Sequence, residues 1–175
     1  MLEVLRGRRR LVSALLALGC FLMLGYALFE QYHALLEPCP LCIFQRIAVA
    51  GLGVVLLVAA AIPQRWRIPG NVSAVLIGLA GLAAMGVSAR HLYIQSLPPG
   101  RVPVCGATLD YMLEVFPLTD VLRKVLTGSG ECARIDWKLL GLSMPGWVLI
   151  CVLLLTVPGV LANWRPRRTG WSRSA

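Results

Sequence analysis

Residues 43–62 read IFQRIAVAGLGVVLLVAAAI, a run whose one charge is Arg46, near its start. A helix of that length rises about 30 Å, which is the thickness of a bilayer's hydrocarbon layer. Outward from it, three more runs have the same character: Leu11 to Phe29, Val72 to Ala89 and Met144 to Ala162. Backbone groups in lipid must find their partners within the segment, and no alternating strands are present to close a barrel, so each run is expected to be a helix. The expected fold class is an all-α membrane protein, a four-transmembrane-helix bundle forming a single integral membrane domain over 1–175.

Composition agrees. Of 175 residues, 58% are hydrophobic and 14% charged, with a mean hydropathy of +0.75, values that do not describe a water-soluble core. A net charge of +9 would suit nucleic acid only if the cations shared a face with stacking aromatics; instead they sit at the ends of the apolar runs, and no nucleic-acid partner is expected. Arg6, Arg8, Arg9, Arg10, Arg65, Arg67, Arg165, Arg167, Arg168 and Arg173 fall on one side of the four spans with Glu3 as their only acid, whereas the other side balances seven cations against seven acids. The basic side is read as cytoplasmic, carrying both termini, and the arginine-rich tails as topology determinants. A cleaved signal peptide is the alternative for the first run, but the run continues past Cys20 to Phe29 without a small-residue exit.

Two external segments remain, a short one at about 30–42 and a long one at about 90–143. Within the long loop, Leu118 to Leu126 places Val121, Leu122, Val125 and Leu126 on one helical face opposite Arg123 and Lys124, a short amphipathic helix that either lies on the membrane or packs on the loop. Pro98, Pro99, Gly100 and Pro103 before Cys105, and Gly128, Ser129 and Gly130 before Cys132, are expected to give both cysteines flexible surroundings.

The six cysteines divide by depth. Cys20 and Cys151 fall inside apolar runs and are expected to be structural. Cys39, Cys42, Cys105 and Cys132 all fall on the outer side, oxidising in a bacterium, and an even set of four there reads as two disulfides. Cys39 and Cys42 form a Cys-Pro-Leu-Cys motif, and a bridge closing so small a loop is more often exchanged than structural. Cys42 stands near a helix amino terminus, whose partial positive charge favours a thiolate, and Arg46 follows four residues on, on the same face. The same spacing is also half of a zinc site, which Cys105 and Cys132, or His33 or His91, would complete; Cys105 and Cys132 are too far apart in sequence for a compact second half, so no metal is expected. A structural disulfide between Cys105 and Cys132 would stabilise by roughly 3 to 4 kcal/mol, and spacing alone does not separate a staple from a redox pair.

From Glu37 to Arg46, EPCPLCIFQR, the sequence resembles the DsbB family of bacterial disulfide-generating membrane proteins, as do Gly130 to Ala133, Trp137 and Leu140 to Trp147. The order of helices and loops is similar over nearly the whole chain. The resemblance implies a quinone-dependent protein-thiol oxidoreductase of the bacterial inner membrane, multi-pass, with its active site facing the periplasm. It implies that Cys105 takes the attack of a reduced DsbA-like partner, that Cys132 is its pair, and that electrons pass to Cys39 and Cys42 through a Cys39 to Cys132 intermediate. It further implies a cofactor site for ubiquinone or menaquinone at Cys42, Arg46 and His91. Phe44 and Gln45 stand where many relatives have tyrosine and an acidic residue. A working monomer in the lipid bilayer is expected, since one chain carries both pairs. Two other readings stay open on the residues alone: a carrier moving electrons outward, and a scaffold whose disulfides only staple its loops.

Overall fold

A computed structural model of the chain describes residues 8–33, 38–63, 67–98, 114, 117, 119–120, 130–135 and 137–164. Among them, α1 (Arg9–His33), α2 (Pro40–Ala61), α3 (Arg67–Gln95) and α5 (Met144–Asn163) are the long helices, α4 (Gly130–Ala133) is a single turn, and β1 (Lys138–Leu139) pairs with β2 (Leu142–Ser143). All four long helices are long and apolar enough to cross a membrane, so the four-helix membrane fold stands.

The helices close a ring in which α1 packs on α2, α2 on α3, α3 on α5, and α5 back on α1. Along α1, Leu11, Leu15, Leu18 and Leu22 are exposed while Ser13, Ala17 and Cys20 are buried. Large side chains therefore face the lipid and small ones the neighbouring helix, as expected where lipid offers apolar contact as readily as protein does. Leu52, Leu56, Ile77 and Val152 fill the centre. α3 and α5 approach closely at Gly81, where a Cβ would stand 2.3 Å from both Cγ2 and Oγ1 of Thr156.

At the end of the bundle where α1 starts and α5 finishes, Arg9 is completely buried and donates to the Pro63 carbonyl. Arg10 donates through Nε to the Ala60 carbonyl, 2.9 Å, and Asn163 Nδ2 donates to Ser13 Oγ at 3.0 Å and to the Gly159 carbonyl at 2.9 Å. This pair of tail arginines also bonds carbonyls at the C-terminal end of α2, the negative end of its dipole.

The helices also overrun the expected spans. α1 continues to His33, α2 begins at Pro40 and α3 runs from Arg67 to Gln95, so helix reaches into the segments expected at 30–42 and 90–143. Hydropathy falls at Arg90, but the sequence contains no helix breaker before Pro98, and Ile94, fully buried, anchors the added turns. Of the amphipathic stretch 118–126, only Thr119 and Asp120 are described, both helical; the rest, like Cys105, lies outside the described residues.

The two-residue turn between β1 and β2 was not foreseen. Leu140 and Gly141 both have positive φ, 51° and 83°, the pattern of a tight hairpin whose twist matches its strands. Trp147 Nε1 donates to the Leu139 carbonyl, 3.0 Å, and Ser143 Oγ donates to Gln95 Oε1, 2.7 Å. The hairpin is therefore tied to the start of α5 and to the end of α3, beside the cysteines.

Candidate thiol exchange site

Cys39 is the N-cap of α2 and Pro40 its first residue. Proline suits that position because its φ is already helical and no amide there needs a partner. The capping acceptor is the sulfur of Cys39, which takes the backbone N–H of Cys42 at 3.3 Å, while the Cys39 carbonyl starts the helix by accepting from Ile43, 3.2 Å. This geometry folds the motif so that the Sγ atoms of Cys39 and Cys42 stand 3.0 Å apart. Cys39 is buried and Cys42 half-buried, so one sulfur of the pair faces inward and the other reaches the boundary.

The inward sulfur has two further neighbours. Cys132 on α4, 1% exposed, hydrogen-bonds the Cys39 thiol, and His91 Nε2 lies 3.8 Å from Cys39 Sγ. His91 sits on the added turns of α3, 2% exposed, and its Nε2 is 3.2 Å from the Cys132 carbonyl. A carbonyl only accepts, so that bond places the ring proton on Nε2. Nδ1 is buried and has no hydrogen-bond partner among the described residues. Leu41 and Ile94, with Phe44, Val87 and Ala133 around them, enclose the two inner cysteines in an apolar shell.

Electrostatics follow from this packing. The hydrogen bond with Cys132, then the one with Cys42, then burial, push the Cys39 thiol well above the ordinary thiol range. The sulfur at the centre of the cluster is therefore held neutral, fitted to be attacked rather than to attack.

One turn into α2, Arg46 turns toward α1, where Nη2 donates to the Ala27 carbonyl at 3.0 Å and Nη1 to Gln31 Oε1. On the opposite side of α2, buried Gln45 donates through Nε2 to Ser88 Oγ, 2.7 Å, and Ser88 Oγ donates to the Ala84 carbonyl, 2.8 Å. Ser88 lies one turn before His91, so this bridge fixes the level of the motif helix against the histidine helix.

The structure thus brings together Cys39, Cys42, Cys132 and His91, and places Arg46 a turn away on α2. Sequence reasoning missed the Gln45 to Ser88 bridge and the Ser143 to Gln95 tie. Small polar residues within apolar runs were the available signal for the first; nothing in the sequence pointed to the second.

Three cysteine sulfurs clustered at one end of a four-span bundle define a multi-pass membrane protein of thiol–disulfide chemistry. The sequence model of the family described as Disulfide bond formation protein DsbB matches residues 9–162, and the chain belongs to that family. A relative from Nitrosococcus oceani, named Disulfide bond formation protein B, is 47% identical over 86% of this chain and 87% of its own length. One of the same name from Chromohalobacter salexigens is 50% identical over 86% and 89%, and one from Xanthomonas axonopodis 41% identical over 87% and 88%.

Proposed function

We propose that this disulfide-forming oxidoreductase reoxidises a DsbA-like dithiol protein on the periplasmic face of the bacterial inner membrane and delivers the electrons to a membrane quinone. The observation that carries the reading is the position of Cys39, 3.0 Å from the sulfur of Cys42 and hydrogen-bonded to the thiol of Cys132. A staple needs one partner; a relay needs a sulfur that can exchange between two.

The relay starts with Cys39 bonded to Cys42 and Cys105 to Cys132. A thiolate of the partner attacks Cys105, the Cys105 to Cys132 bond breaks, and Cys132 leaves as thiolate. Cys132 attacks Cys39, the Cys39 to Cys42 bond breaks, and Cys42 takes the electron pair. The partner's second thiol then attacks its own sulfur in the mixed disulfide, closing the partner's disulfide and freeing Cys105. Cys105 attacks Cys132, restoring its bond, and Cys39 leaves and takes up a proton, which its environment favours. The net result is one oxidised partner and two reduced thiols at Cys39 and Cys42.

A quinone supplies the acceptor for those two electrons, with two protons. The residues present fit such a group: Cys42 is half-buried, Arg46 lies on the same face of α2 with N–H groups beyond the two bonded to α1, and Nδ1 of His91 is a buried nitrogen without a partner among the described residues. Arg46 would hold a quinone carbonyl, and Cys42 would be the thiol beside it.

The test is quinone reduction, followed by absorbance, when the purified chain in detergent meets a reduced DsbA-like protein. Turnover is expected for the wild type and abolished in Cys42→Ser and Cys105→Ser. Intact disulfides with no turnover under any quinone would overturn the reading in favour of a stapled scaffold.

A further inference from the structure

We propose that the reduced form of this site is also a binding site for a soft, redox-inert divalent metal ion of the zinc class, held by Cys39, Cys42 and Nε2 of His91. The ligand atoms of these three residues all lie within 4.8 Å of one another. This departs from the sequence expectation of no metal: of the residues named there as able to complete a zinc site, His91 on α3, 52 residues after Cys39, is the one the fold brings to the motif.

The geometry is near what such an ion asks for. With metal–sulfur bonds of about 2.3 Å and metal–nitrogen bonds of about 2.0 Å, tetrahedral ligand atoms stand roughly 3.4 to 3.8 Å apart. Cys39 Sγ to His91 Nε2 is 3.8 Å, so that edge is in place. Cys39 Sγ to Cys42 Sγ is 3.0 Å and must open by under 1 Å, which a χ1 rotation of the half-buried Cys42 provides. Two thiolates and a neutral imidazole around a dication leave no net charge, which suits a site at the edge of an apolar shell. The fourth tetrahedral position stays open for water or for Cys132, whose thiol already bonds Cys39.

The chemistry sets two conditions. Each thiol gives up a proton, so binding tightens as pH rises. Nε2 must give up its proton too, which moves to Nδ1, so the ion competes with the Cys132 carbonyl for the same nitrogen. An ion bound here occupies both motif thiols in the state that has just accepted electrons, and would hold the enzyme there. The binding itself rests on the cluster's geometry and requires neither quinone nor partner.

The test uses the full chain in detergent, reduced, freed of reductant and titrated with Cd²⁺ while thiolate-to-metal charge transfer is followed in the ultraviolet. One equivalent is expected to bind, with none in the disulfide form, none in Cys39→Ser/Cys42→Ser, and affinity lowered at least about tenfold in His91→Gln, as for loss of a metal-site residue. X-ray absorption of the Zn²⁺-loaded wild type gives the same answer without a variant: one imidazole nitrogen with two or three sulfurs. The proposal is overturned if the reduced wild type gives no charge-transfer band, if the band survives in the double serine variant, or if the metal shell contains no imidazole. Because no step of the titration involves turnover, a failed quinone assay and a failed metal titration remain separate results.

Discussion

At Cys39 one sulfur caps a helix, stands 3.0 Å from a second thiol and hydrogen-bonds a third. Its raised pKa has a measurable consequence. An ordinary thiol, with a pKa near 8.5, becomes about tenfold more reactive for each unit that pH rises toward that value and levels off above it. In reduced protein, alkylation of Cys39 should stay far slower than that of an ordinary thiol from about pH 6 to 9 and climb without reaching a plateau, and in Cys132→Ala, which removes the largest cause of the shift, it should be faster at each pH. Peptide-resolved alkylation reads both; a Cys39 profile that follows an ordinary thiol would contradict the assignment. At His91, replacement by Ala removes a buried partner of the Cys132 carbonyl and should cost about 1 to 3 kcal/mol in thermal or denaturant unfolding, with slower Cys39 to Cys132 exchange.

Among the elements, the four spans were legible because each is a long apolar run, and their interiors needed no more than hydropathy. Their ends were not. Hydropathy falls at Arg90, but a helix ends where its backbone bonds end, and α3 carries His91 and Ile94 two turns further into the site. The cysteine motif was legible as reactive, yet its inner sulfur's second partner arrives on α4, which no local pattern connects to α2. Arg9 reads as one of four tail cations until it is found buried between helix ends. The hairpin turn hid for a different reason: Leu140 adopts positive φ without being Gly or Asn. The packing of α3 on α5 gives a sharp prediction. A Cβ on Gly81 would lie 2.3 Å from the Thr156 methyl and hydroxyl, so Gly81→Ala should destabilise the bundle by about 1 to 3 kcal/mol through overpacking. Thr156→Ala removes those two atoms and should rescue part of the loss in the double variant; a Tm unchanged in Gly81→Ala would show that the helices do not meet so closely.

For the molecule as a whole, the expected orientation rests on charge: α1 starts and α5 finishes at one end of the bundle, and the sequence flanking those two ends is basic. The proposed topology puts that end in the cytoplasm and the cysteine cluster in the periplasm. Reporter fusions after Ala175 should be active only as cytoplasmic reporters, and the opposite result would place the thiols in a reducing compartment and remove the basis of the relay. The division of labour across the bundle is physical. Arg9, Arg10, Ser13 and Asn163 tie the helix ends together at one side, while at the other side a helix cap and a single turn bring Cys39, Cys42 and Cys132 into one cluster.

If Cys39 exchanges between Cys42 and Cys132, a Cys39 to Cys132 disulfide can be trapped and mapped. In Cys42→Ser/Cys105→Ser protein isolated under oxidising conditions, mass spectrometry of the digested chain should find the Cys39 peptide joined to the Cys132 peptide as the dominant cross-link. Free thiols at both positions, with the protein folded, would contradict the claim.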